Sequence, residues 1–132
     1  MFPILRNEKL AENIYRLDIR APRICNSYQT GQFIIIRPSE TGERIPLTVA
    51  NSDPQELTIT VVVQVVGEST RQLVAHDVGD ELKDVVGPLG EPTDIGDFEH
   101  VVCCGGGVGI ALAWPIARAL RRTSDRITGI IS

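Results

Sequence analysis

Four glycines within five residues, Gly105, Gly106, Gly107 and Gly109, stand between an apolar run and a helix-forming run in VVCCGGGVGIALAW, Val101 to Trp114. Glycine adopts backbone angles that other residues resist, and it lets a bound group approach main-chain N–H groups closely. A helix that opens there presents its positive end and its unpaired N–H groups to the turn, so the chemistry it suits is phosphate binding. The spacing is not GxGxxG, because no glycine follows Gly109 at the required distance. Taken alone, GGGVG reads equally as a nucleotide-phosphate turn or as a plain tight turn. A second stretch, Gly67 to Thr70 (GEST), also opens a helix-like segment. Its N–H groups and the Ser69 and Thr70 hydroxyls suit either a phosphate or simple capping.

Other chemistry-bearing residues form no constellation. Cys25, Cys103 and Cys104 are odd in number, with two adjacent in an apolar run and no CxxC. That is neither a disulfide framework nor a metal set, and it reads as reduced, packed thiols of a cytoplasmic protein. His76 and His100 are isolated beside acidic residues and read as surface positions. Asp94, Asp97 and Glu99 read as a solvated linker. No catalytic residue and no metal site is assigned.

The elements that must position these residues follow from periodicity. Tyr15, Leu17 and Ile19 alternate with Arg16, Asp18 and Arg20, the pattern of a half-buried antiparallel strand, with Ile4 to Ala11 as its hairpin partner. TGQFIIIRPS, RIPLTVAN (interrupted by Pro46), the β-branched LTITVVVQVV and ELKDVVGPLGEP supply further strands, the last ended by Gly87–Pro88 and Gly90. GESTRQLVAHD supplies one short helix. At Asp97 the pattern changes. FEHVVCCGGG is an apolar strand without alternation, as in parallel sheets buried on both faces. VGIALAWPIARALRR is a helix with Arg118, Arg121 and Arg122 near its end, where Pro115 marks a start or a kink, and DRITGIIS is a second apolar strand. The expected fold class is mainly β: a small antiparallel six-stranded Greek-key-like barrel over residues 1–97, then an incomplete α/β, Rossmann-like strand–helix–strand unit over residues 98–132. The 132 residues, 42% hydrophobic and 23% charged, suffice for one real core. They hold no run of about 20 apolar residues to insert in a membrane and no secretory leader pattern. A net charge of −4 speaks against nucleic acid as a partner.

In this order, GERIPLTVA, VVQVVGEST, VVGPLGEP and GGGVG resemble the ferredoxin–NADP⁺ reductase superfamily, and within it the branch of electron-transfer subunits. The resemblance implies an FAD-binding barrel followed by a nicotinamide-nucleotide domain. The family's flavin motif falls on Ile45, Pro46, Leu47 and Thr48. The arginine stands one place early, as Arg44, which is read either as a pyrophosphate contact or as a turn residue beside Glu43. Val62, Val63 and Gln64, with Gly67, Ser69 and Thr70, match the second flavin segment. Gly105, Gly106, Gly107, Val108 and Gly109 match the NAD(P)H turn, without the family's usual proline after it.

The implied function is a flavin-dependent electron-transfer subunit passing electrons between NAD(P)H and a redox partner subunit through FAD. The alternatives are a barrel that holds FAD without turnover, and a remnant barrel kept as an assembly piece. Family members of this branch continue into a [2Fe–2S] segment, for which this chain has no ligands. The expectation is that the chain is shortened, with completion by another chain or self-association through the last strand as alternatives.

Overall fold

Alternation along Ile14–Arg20 turns Leu17 and Ile19 inward and leaves Arg20 exposed, and the neighbouring strands repeat the pattern around one interior. The computed structural model describes residues 1–132. In chain order the elements are β1 (Phe2–Ala11), β2 (Ile14–Arg20), α1 (Pro22–Ser27), β3 (Phe33–Arg37), β4 (Ile45–Asp53), β5 (Thr58–Gln64), α2 (Glu68–Val74), β6 (Glu81–Leu82) and β7 (Asp84–Leu89). After them come β8 (His100–Gly105), a 3₁₀ turn at Gly107–Gly109, α3 (Ile110–Leu120) and β9 (Arg126–Ile131).

The first seven strands form one antiparallel sheet in the order β6-β1-β2-β5-β4-β3-β7. Because β2 lies beside β5 rather than β3, the β2-β5-β4-β3 part is a Greek key. The sixth strand expected from the sequence is split at Lys83 into β6 and β7. Its first part pairs with β1 (Phe2↔Leu82) and its second with β3 (Ile36↔Val85). One bent segment therefore joins the two edges of the sheet and closes the barrel. The Lys83 N–H, at the bend, donates to the Pro38 carbonyl at 3.2 Å.

Ile4, Leu17, Ile19, Ile34, Ile36, Val49, Ile59, Val61 and Val63 fill the interior with no exposed surface. Each such side chain contributes about 1.5–3 kcal/mol of burial. Leu73 of α2 completes one side, and the Asn7 amide holds the end of that helix by donating to the Val74 and His76 carbonyls at 2.9 and 2.7 Å.

Several expectations are corrected. Pro46 does not interrupt β4: it faces Ile35 of β3, but β4 pairs with β5 only from Val49 onward, so no donor is needed on that side. Gly87–Pro88 likewise do not end β7, which is an edge strand with a register shift opposite Phe33–Ile35. The sequence reading lacks α1, a six-residue helix begun by Pro22, whose missing N–H costs nothing in a first turn. Helix α3 runs through Pro115 to Leu120, with the proline ring buried. Strand β8 is not buried on both faces. It alternates, because the two-stranded parallel sheet it forms with β9 is packed by α3 on one face, and Val102 is 52% exposed. For the same reason only Cys25 is a core thiol, whereas Cys103 is half-buried and Cys104 exposed. No helix is long and apolar enough to cross a membrane.

Cys25 and Tyr28 sit at the end of α1, and burial raises the pKa of both. The Cys25 thiol donates to the Asp53 carbonyl at 3.5 Å and the Tyr28 hydroxyl to the Val49 carbonyl at 3.2 Å. With folded values above unfolded ones, the stability these groups contribute is full below the unfolded pKa and is lost as pH rises. Denaturant midpoints should hold through neutral pH and fall above about 8.5, the ordinary thiol value. Cys25→Ala should flatten the first part of that fall. In the native protein a thiol reagent should modify Cys104 first and Cys103 more slowly. Cys25 should react only after unfolding, which a timed mass measurement will read.

Candidate functional site

On β4, Val49 is fully buried and Ile45 nearly so, which turns Pro46 and Thr48 outward. On the adjacent β5, Val61 and Val63 point inward and turn Val62 and Gln64 outward. These outward residues, with the edges of Ile45 and Leu47, form one wall of a groove of about 350 Å³. Val66 and Thr70, before and within α2, close one end of it, and Val108 of the 3₁₀ turn with Ala111 and Leu112 at the start of α3 form the opposite wall. The groove thus lies between the barrel and the strand–helix–strand unit. Its walls are mostly apolar, with the Thr48 hydroxyl, the Gln64 amide and Thr70 as the polar groups. Such a slot suits a flat aromatic ring system with a hydrogen-bonding edge.

Thr70 is the residue that fixes this end of the site. Its hydroxyl oxygen accepts from the Val66 and Gly67 N–H groups at 3.0 and 3.3 Å and so reaches back over the start of α2. Ser69 plays no capping part; its hydroxyl donates to a Glu43 carboxylate oxygen at 2.7 Å. Arg44 is not among the residues that line the groove and lies 3.7 Å from the Asp84 carboxylate. Val63 belongs to the core and Gly67 lines no part of the groove, so of the sequence-derived set the groove gathers Ile45, Pro46, Leu47, Thr48, Val62, Gln64, Thr70 and Val108. Sequence reasoning missed Val66, Ala111 and Leu112. The last two are legible only as the first turn of a helix that faces β4.

Gly105 and Gly106 border a second, smaller concavity with Cys104, Ile130, Ile131 and Ser132. Here the Gly107 N–H donates to the Ser132 carbonyl at 3.2 Å. The glycines differ in what they do. A Cβ on Gly105 would lie 3.1 Å from the Gly109 carbonyl oxygen and from Ile110 Cα, so Gly105 lets β8 and α3 approach. Gly107 holds a positive φ of 56°. Gly109 has a helical φ of −61°, and a Cβ there would meet nothing. Gly109→Ala should therefore keep or raise the melting temperature, by up to about 1 kcal/mol of added stability. Gly105→Ala should lower it and alter the near-ultraviolet dichroism of Trp114. Equal melts for the two variants would contradict this assignment.

No group of three or more His, Cys, Asp or Glu side chains is placed to hold a metal.

No family model matches the chain. A dihydroorotate dehydrogenase B (NAD(+)) electron transfer subunit homolog of Thermotoga maritima is 44% identical over 128 residues, 97% of this chain and 45% of the relative. The dihydroorotate dehydrogenase B (NAD(+)) electron transfer subunit of Shouchella clausii is 30% identical over 134 residues, 97% of this chain and 51% of the relative. The chain spans about half the length of the curated relatives it matches. Among solved structures, an NADH-dependent reduced ferredoxin-NADP oxidoreductase studied for flavin-based electron bifurcation matches with a TM-score of 0.91 and 42% identity, over 99% of this chain and 48% of that one. The ferredoxin reductase of carbazole 1,9a-dioxygenase matches with a TM-score of 0.81 over 98% of this chain and 41% of that one; at 23% identity this likeness speaks to the fold alone. A Greek-key barrel followed by a strand–glycine turn–helix unit, at this identity to these relatives, matches the chain to the ferredoxin–NADP⁺ reductase superfamily.

Proposed function

We propose that residues 1–97 form an FAD-binding barrel and residues 98–132 a unit that meets NAD(P)H. Together they act in an electron-transfer subunit that passes electrons between NAD(P)H and a redox partner subunit. The observation that carries this reading is the groove itself. It brings Pro46, Leu47 and Thr48 of β4 and Val62 and Gln64 of β5 opposite the first turn of α3. Bound there, FAD would supply the redox chemistry, that of hydride acceptance and onward electron transfer.

The residues of the chain bind and orient. Pro46, Leu47 and Val62 offer an apolar floor, and Thr48 and Gln64 offer hydrogen bonds to a polar ring edge. Val108, Ala111 and Leu112 cover the other side and exclude water. The phosphates fall to the Gly67–Thr70 segment and to Arg44. Arg44 and Ser69 are at present engaged by Asp84 and Glu43 in surface contacts. An exposed ion pair such as Arg44–Asp84 is worth about 0–1 kcal/mol, so an entering phosphate displaces it readily. No side chain has to give or take a proton, in keeping with a site that lacks an acid–base pair. We place the protein in the cytoplasm on its three free thiols. The outer edge of β9, which pairs only with β8, is where a partner subunit or a second copy would add a strand.

A second reading, a barrel that holds FAD without turnover, is favoured by one observation: Gly105 and Gly106 face Ile131 and Ser132 rather than the groove. An absorption spectrum after reconstitution with FAD, recorded before and after adding NADH or NADPH, separates these readings. A flavin band that bleaches supports electron transfer. A band that persists supports the second reading, and no retained flavin overturns both. Val62→Glu should weaken FAD binding at least tenfold in a flavin-fluorescence titration while leaving the barrel's melting temperature unchanged.

A further inference from the structure

Helix α3 packs against β4, and Ala111, Pro115 and Arg118, spaced i, i+4, i+7, share one face of the helix. Ala111 touches the groove, Pro115 is buried, and the Arg118 Nη2 donates to Asn51 Oδ1 at 2.7 Å. From Ala111 to Arg118 the helix rises about 10 Å, and from Leu47 to Asn51 the strand advances about 13 Å. Helix and strand therefore run alongside each other, in contact at the groove and tied again one end further on. Between Leu89 and His100 the chain has no regular structure, and the unit carrying α3 joins the barrel through that segment.

We propose that Arg118 and Asn51 form a latch that holds α3 against β4 and thereby sets the width of the groove, making them positioning residues for whatever ring the groove takes. The chemistry fits a latch that can open. The guanidinium is exposed and its partner is a neutral amide, so release returns a charge to water without leaving a buried one unpaired. Asn51 also follows the register shift between Val49 and Asn51 on β4. A bulge of this kind re-aims a side chain outward from a strand. That the ring is a flavin rests on the function proposed above; that the latch holds the groove does not.

The test uses the full chain with Asn51→Leu, which matches the shape without an acceptor, Arg118→Ala, the double variant, and Asn51→Asp, which keeps the oxygen. Two readouts need no cofactor: proteolytic cleavage between residues 90 and 99, and the emission of Trp114, the single tryptophan, which lies on α3. Both single variants should speed cleavage several-fold and shift the emission, the double variant should go no further than either, and Asn51→Asp should behave as the native chain. A third readout is FAD affinity by flavin fluorescence, expected to fall several-fold in the same pattern. Native cleavage and emission in both single variants, or additive effects in the double variant, overturn the latch. Should the cofactor-free pattern appear while even the native chain binds no FAD, the latch stands and the flavin reading falls.

Discussion

The two-residue period of β4 and β5 is the constraint on which the rest depends. Side chains of successive strand residues point to opposite faces, so filling the barrel with Ile45, Val49, Val61 and Val63 leaves Pro46, Thr48, Val62 and Gln64 no choice but to face out. Core and site are therefore one decision. A register slip of one residue would bury Gln64 and expose Val63, costing both the core and the groove floor. The pairing Leu17↔Val61 and Tyr15↔Val63 on one side and Val49↔Val61 on the other holds that register from both edges of β5.

The opposite wall has a different origin. Helix α3 reaches the groove because Gly105 allows close approach of strand and helix and because Arg118 ties the helix to Asn51 of β4. The glycine run thus acts here through packing and backbone geometry. Its role as a phosphate cradle is a separate matter, since its second concavity opens toward Ser132. Closure of the barrel by the bent Glu81–Leu89 segment is what makes the β4–β5 surface rigid enough to serve as a wall. Without it, β1 and β3 would both be free edges.

Much of this was legible in the sequence. The strand segments, the short helix after Gly67 and the change of pattern near Asp97 follow from alternation, β-branching and glycine placement, all local signals. What the sequence did not yield depends on neighbours. Whether Pro46 breaks a strand turns on where β5 starts to pair. Whether Cys103 and Cys104 are buried turns on how many faces of β8 are covered. In the candidate site, Val62 and Gln64 were readable but Val63 could be separated from them only by asking which face is inside. For Arg44 the sequence allows a pyrophosphate contact or a turn residue beside Glu43, because its carboxylate partner, Asp84, lies forty residues on. Ala111 and Leu112 carry no chemistry of their own and gain a role only through the docking of α3.

Magnitudes indicate how such a groove discriminates. An exposed charge pair at about 4 Å in water is worth about 1 kcal/mol, and here the charged and hydroxyl groups near α2 must first leave Asp84 and Glu43. Each 100 Å² of apolar surface covered contributes about 2.5 kcal/mol. In the function proposed above, affinity then comes chiefly from the ring face against Pro46, Leu47 and Val62, with Arg44 and the Gly67–Thr70 segment assigned to direction rather than strength. A groove of this kind binds tightly only when its second wall is in place, so the pose of α3 governs what the barrel can hold.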